Sequence, residues 1–139
     1  MRIFVDSDVV VSSFLSQSGA AHFLLSLTSL QIFISSLSKK ELETVIERLG
    51  TGRDMLATFI ENNVDIVILS ESLPEIKESF KQYVLDENDA HILAGAKAAK
   101  ANFLITYNVK DFKIEKIKQD LGILILTPGN FLQYLRSIE

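Results

Sequence analysis

The sequence predicts a three-layer α/β/α domain around a central, mainly parallel sheet of five strands. Two features carry that prediction. Five short apolar runs recur along the 139 residues, each nearly continuous rather than alternating, as suits strands covered on both faces. Segments with helical spacing lie between them, and strands alternating with helices make a parallel sheet flanked by helices.

In chain order, Ile3-Phe4-Val5 leads and is ended by Asp6. Gln31-Ile32-Phe33-Ile34-Ser35 is the second run, Val64 to Leu69 the third, Phe103-Leu104-Ile105-Thr106 the fourth and Ile123-Leu124-Ile125-Leu126 the fifth. Between the first two, Ala20 to Leu30 sets Phe23, Leu24, Leu27 and Leu30 at helical spacing. Ser38 to Leu49 turns Leu42, Val45, Ile46 and Leu49 inward and Glu41, Glu47 and Arg48 outward, and Ser38-Lys39-Lys40-Glu41 reads as a capping box. Gly50-Thr51-Gly52 reads as a helix–helix turn, after which Met55, Leu56, Phe59 and Ile60 form one apolar face. Ile76, Phe80 and Tyr83 form the next. Asp89 to Ala101 buries Ile92, Leu93, Ala96 and Ala99. Thr127-Pro128, an N-cap followed by proline at the first helical position, opens a last helix burying Phe131, Leu132 and Leu135.

The length fits one domain over residues 1–139, large enough for a core without staples. With 47% apolar and 23% charged residues, intrinsic disorder is excluded. The chain has no cysteine, which removes disulfides, thiolate zinc sites and a cysteine nucleophile, and its two histidines are too few for a His-rich metal site. No apolar run approaches the roughly 20 residues of a membrane span. No signal-peptide pattern precedes the first strand, so a cytoplasmic location is expected. Fourteen basic against eighteen acidic residues, a net charge of −4, argue against a module that wraps nucleic acid with clustered cations. An enzyme that reaches phosphates through a metal is acidic for good reason.

In parallel α/β sheets the ligand crevice lies at the carboxyl ends of the strands. Asp6 ends the first strand there and Asp8 follows. Ser35 and Ser36 end the second, with Glu41 in the helix beyond. Asp86 and Asp89 open the helix before the fourth strand, which ends in Thr106-Tyr107-Asn108 with Asp111 beyond. Singly, Glu41, Asp86 and Asp89 can be helix caps, Asp111 a turn residue and Thr106 a plain β-branched strand residue. Asp6 resists that reading, because a charge placed directly after a buried central strand is costly unless paired. Two carboxylates about 4 Å apart repel by roughly 1 kcal/mol in water and about 4 kcal/mol at an effective dielectric of 20. No basic residue stands in Phe4 to Asp8 or in Leu104 to Asn108. A divalent cation would relieve the repulsion, and oxygen ligands without cysteine point to Mg²⁺ or Mn²⁺ rather than zinc.

The same stretches resemble the PIN-domain family, in particular the VapC-like toxins of prokaryotic toxin–antitoxin pairs. Asp6-Ser7-Asp8-Val9-Val10-Val11-Ser12 is similar to that family's opening Asp-Thr-Asn-Val-Leu-Val-Ser. Ser35 followed by Glu41-Leu42 resembles its second segment. Asp86-Glu87-Asn88-Asp89-Ala90-His91-Ile92-Leu93-Ala94 resembles its Asp-Pro-Asp-Asp-Ala-His-Ile-Leu-Ala. Phe103 to Phe112 resembles the strand leading into Thr-x-Asp or Thr-x-Asn, and Thr127-Pro128 with Phe131-Leu132 resembles the closing helix. The likeness spans nearly the whole chain, in order. It implies a PIN-like fold and a Mg²⁺- or Mn²⁺-dependent nuclease cutting single-stranded RNA. By position, Asp6, Glu41 and Asp89 would be the acidic, metal-holding core. Glu41 and Asn108 would orient metal-bound waters, so the catalytic set is Asp6, Glu41, Asp89 and Asn108. Thr106 would hydrogen-bond a carboxylate or the substrate, with Asp8, Asp86 and Asp111 in support. Asn108 stands where many relatives carry a fourth Asp, and Asp8 where the family usually has Asn. Lys110 and Lys113, with Lys116 and Lys118, are placed to grip RNA phosphates or to form an ordinary solvated face. Lys39 and Lys40 flank Glu41 and carry the same two readings. His91, two residues after Asp89, is read as facing away from the site, and His22 as having no role.

The toxin resemblance further implies a homodimer and a small antitoxin whose Arg or Lys neutralises the acidic cluster. Two other readings are weighed. In one, the domain binds RNA or a protein without cutting. In the other, Phe4 to Val10 matches the Asp-x-Asp nucleophile motif of haloacid-dehalogenase-like phosphatases, with Asp6 as nucleophile. The order of the remaining motifs disfavours the phosphatase, because Thr106 follows Asp86 and Asp89 rather than preceding them.

Overall fold

The first strand, β1 (Arg2–Val5), runs through the middle of the molecule with Ile3, Phe4 and Val5 fully buried. The computed structural model describes residues 1–139. After β1 come α1 (Ser7–Leu15), α2 (Ala20–Leu25), β2 (Gln31–Ser35), α3 (Ser36–Leu49), α4 (Arg53–Asn63), β3 (Asp65–Val67) and α5 (Leu73–Phe80). Then follow α6 (Ala90–Ala98), β4 (Phe103–Ile105), α7 (Ile114–Leu121), β5 (Leu124–Leu126) and α8 (Pro128–Ser137). Single 3-10 turns occupy Lys81–Tyr83, Glu87–Asp89 and Val109–Asp111. All strands are parallel, in the order β3-β2-β1-β4-β5. The predicted three-layer α/β/α class with five strands is the architecture observed.

Side chains alternate across the sheet with the strand period of two. Phe4, Phe33, Leu104 and Ile125 point into one core, under α5, α6 and α7. Ile3, Val5, Ile32, Ile34, Phe103 and Ile105 point into the other, under α1 to α4 and α8. Gly95 of α6 sits so close to the sheet that a Cβ there would lie 2.5 Å from the Phe4 ring. Gly50 and Gly52 both take positive φ in the α3–α4 turn, where an L side chain would be strained.

Some elements differ from their sequence reading. The third run, expected to be buried on both faces, forms the sheet edge: Asp65 and Ile66 are exposed, and Ile68 beyond it is 80% exposed. The helix expected over Ala20 to Leu30 ends at Leu25, leaving Phe23 on the surface. Two helices stand where none was predicted. α1 is rich in β-branched valines, which helices tolerate poorly in isolation, yet burying Val9 and Val10 against the sheet stabilises it. α7 sets Ile114, Ile117 and Leu121 at helical spacing, a pattern the sequence reading passed over, and fully buries Ile117.

The cap of α3 also differs. Ser35, not Ser38, is the N-cap: its hydroxyl accepts from the Ser38 backbone N–H at 3.0 Å. The expected capping box is absent, and Glu41, more than a turn inside the helix, is not spent on capping.

Candidate active site at the carboxyl edge of the sheet

Because β1, β2 and β4 are neighbours and parallel, their last residues emerge side by side. The register pairs Phe4 with Phe33 and with Leu104, and Val5 with Ile105. One step further, Asp6 and Thr106 stand abreast. The Asp6 N–H donates to the Ile105 carbonyl at 2.9 Å, and the Thr106 hydroxyl donates to Asp6 Oδ2 at 2.9 Å. Asp6 is only 6% exposed, and Thr106 is fully buried. No lysine or arginine bonds either.

Asp8, in the first turn of α1, faces the β4 end. Its Oδ2 accepts from the Tyr107 backbone N–H at 3.1 Å and from Asn108 Nδ2 at 3.0 Å. Its Oδ1 is buried with no hydrogen-bond partner. Asn108 is held from behind, its N–H donating to the Thr106 hydroxyl oxygen at 3.0 Å. From the β2 side, α3 brings Glu41. Ser7 Oγ lies 3.5 Å from Asp6 Oδ1 and 3.3 Å from Glu41 Oε2, linking the two acids through one hydroxyl.

The opposite helical layer supplies the remainder. Asp86 caps the turn that follows it, accepting from the Asn88 N–H at 2.9 Å. Asp89 is the N-cap of α6 but makes no side-chain cap bond, which leaves its carboxylate free. His91 is a correction to the sequence reading. It does not face away from the site: its Nε2 lies 2.9 Å from Glu41 Oε1, with the ring largely buried and Nδ1 unpartnered. Asp89 belongs to a 3-10 turn, so the helical-wheel angle that sent His91 elsewhere does not apply between them. Its signal in the sequence was its place one residue inside the Asp-Ala-His-Ile-Leu stretch.

The charges act on one another as a group. Burial, then Asp8, then Glu41 push the Asp6 carboxyl up to about 7 from 3.8. Burial also raises Asp8. Asp89 is raised by burial, then by Asp111, with smaller contributions from Asp86 and Glu41. Glu41 alone is lowered, by its hydrogen bond from His91. The acids share one neighbourhood without touching: no three acidic or histidine side chains close on a single ion-sized point. Lys110 and Lys113 stand exposed beyond β4 and make no ion pair.

The donor set fits a hard dication. It consists of carboxylate and amide oxygens, one of them orphaned and buried at Asp8, and no lysine or arginine forms an ion pair with them. Mg²⁺ keeps several waters and needs only one or two carboxylates directly, so three converging protein ligands are not required.

A family model described as PIN domain matches residues 2–110. No curated protein matches the chain. Among solved structures, a toxin–antitoxin complex from Klebsiella pneumoniae is similar to it, at 23% identity and TM-score 0.67, over 91% of this chain and 97% of that one. VapBC2 from Rickettsia felis, bound to a DNA fragment from its promoter, is 18% identical with TM-score 0.62, covering 90% and 97%. VapBC-1 from nontypeable Haemophilus influenzae is 16% identical with TM-score 0.63, covering 93% and 99%. At these identities the likeness establishes a shared fold.

Proposed function

This chain belongs to the PIN domain family, and from that premise we propose that it is a metal-dependent endoribonuclease acting on single-stranded RNA in the cytoplasm, the toxin of a toxin–antitoxin pair. The observation that carries the reading is Asp6: a carboxylate buried at the end of the central strand, beside Asp8 and Glu41, with no cation to pair with. That is a costly arrangement for a structural residue and a useful one for holding a dication. The solved structures of similar fold include toxin–antitoxin assemblies, which supports a small protein partner. No helix of the chain is long and apolar enough to cross a membrane.

Asp6 and Asp89 would hold Mg²⁺ or Mn²⁺ directly or through its waters, with Glu41 orienting those waters. The ion when bound supplies an activated water and charge stabilisation for in-line attack on a phosphodiester. The chain's residues prepare for this. Thr106 fixes one oxygen of Asp6. Ser7 and His91 occupy the two oxygens of Glu41, so its carboxylate cannot rotate freely. Asn108 and the Tyr107 N–H fix one oxygen of Asp8 and leave the other open. The two departures from the family's motifs thus meet in one hydrogen bond: the carboxylate usual at the fourth-strand position and the amide usual in the first motif have changed places. One acid and one amide remain at the site. A homodimer and an antitoxin that covers the acids with Arg or Lys complete the proposal.

The test is cleavage of a single-stranded RNA with Mg²⁺, with Mn²⁺ and with EDTA. Cutting is expected with either metal and not with EDTA, and Asp6→Asn is expected to lose about 10²-fold or more in rate. A parent protein that binds RNA but never cuts it would instead make the domain a binding module.

A further inference from the structure

Two features flank the acids on opposite sides, one of them including Lys40, whose sequence neighbourhood allowed a phosphate contact. On the α3 side, a cleft of about 410 Å³ opens from Ser7 and Glu41 and is lined further by Lys40, Thr44, Val45 and Arg48. Residues 40, 44 and 48 succeed one another at one helical turn each, so Lys40 and Arg48 share a face with Glu41 near one end. Both cations are exposed, and neither makes an ion pair. On the β4 side, Tyr107 is 43% exposed between Thr106 and Asn108. It is pinned at both ends, its N–H donating to Asp8 and its hydroxyl 3.3 Å from Ser12 Oγ.

The strand order gives these features a common meaning. β2, which leads into α3, and β4, which leads into Tyr107, lie on opposite sides of β1. The cationic cleft and the ring therefore stand on opposite sides of Asp6. We propose that an unpaired polynucleotide strand crosses Asp6 between them, with backbone phosphates of one arm held by Lys40 and Arg48 and a base of the other arm stacked on Tyr107. The inference rests on the nuclease reading and adds the path. Two cations eight residues apart on one helix, about 12 Å along its axis, are spaced to meet separate phosphates of one strand. A fixed aromatic face takes a base of any sequence, but only one not already stacked in a duplex. The acids themselves repel a phosphate backbone, so the chain needs positive charge beside them.

The experiment measures binding of a fluorescent single-stranded 12-nucleotide RNA by anisotropy, in EDTA, across a salt series. Lys40→Gln/Arg48→Gln is expected to reduce the slope of log K against log salt by about 1.4, at about 0.7 per phosphate contact. A control pair with the same charge change, Lys77→Gln/Lys97→Gln, is expected to leave the slope as in the parent. Tyr107→Ala is expected to weaken binding about tenfold or more with the slope unchanged, and Tyr107→Phe, which keeps the ring and loses only the Ser12 contact, to bind more tightly than Tyr107→Ala. The chain has no tryptophan and three tyrosines, so quenching of tyrosine fluorescence by RNA, lost in Tyr107→Phe, reports the stacking directly. Equal slopes for the two double variants, or Tyr107→Ala binding as tightly as the parent, would overturn the path. If the parent cuts RNA while these variants bind and cut as it does, the path falls and the nuclease reading stands. If binding follows the expected pattern but no metal brings cleavage, the path stands and the nuclease reading falls.

Discussion

Asp8 and Asn108 show how much depends on a single pair of side chains. Asp8→Asn would leave two amides facing each other, and Asn108→Asp would set two carboxylates about 3 Å apart. Each change is expected to lower RNA cleavage by about tenfold or more. The exchange variant Asp8→Asn/Asn108→Asp restores one acid and one amide and is expected to recover most of the activity; a double variant as weak as the worse single one would show that the positions act separately. Asp6 carries a second consequence. Its carboxyl lies near 7 in the folded chain against 3.8 unfolded, so between those values the folded state binds the extra proton. The stability it contributes is complete below about pH 3.8 and is lost as pH rises through about 7. In EDTA, melting temperature is expected to fall from pH 6 to pH 8. Asp6→Asn should raise it at pH 8 by about 3–8 °C and flatten the fall. An undiminished slope in the variant would place the titration elsewhere. Asp6, Thr106 and Asn108 could be placed at one sheet edge from sequence because β1 and β4 end there, whereas the roles expected of Glu41, Asp89 and Asn108 came from the family resemblance. His91 was missed because helical geometry was extended through a 3-10 turn, and Asp8's link to Asn108 because it joins residues 100 apart.

At the scale of elements, α6 is the most constrained. Gly95 lets it settle onto β1, and Gly95→Ala would drive a methyl group into Phe4 Cζ and into Ser35 Cβ 3.3 Å away. A loss of about 1–3 kcal/mol in chemical unfolding is expected, with RNA cleavage falling as well, because α6 carries Asp89 and His91 to the acids. Unfolding unchanged from the parent would mean that the helix can shift without cost. Elements with continuous apolar runs, such as β1, β2 and β4, were legible because burial on both faces leaves no alternation to misread. β3 has similar composition but ends the sheet, and no local pattern distinguishes an edge strand from a central one. α1 escaped because its valines suggest a strand and its burial comes from the sheet, whereas α7 did carry a helical pattern, Ile114, Ile117 and Leu121, that the sequence reading passed over.

For the whole molecule, an ion bound only when the acids are assembled must favour the folded state. Millimolar Mg²⁺ or Mn²⁺ is expected to raise the melting temperature by a few degrees at pH 8. Asp89→Asn should reduce that rise, and Ca²⁺ should raise it to a different extent because of its larger radius. A melt indifferent to every dication would remove the metal from the site. The order of the strands bears on how such a protein comes into being. β1 is made first, yet its second neighbour is β4, and Thr106 reaches Asp6 across 100 residues. A ribosome that stalls anywhere before that threonine releases a fragment with its acids unaligned. The site can therefore assemble only after about three quarters of the chain has been made.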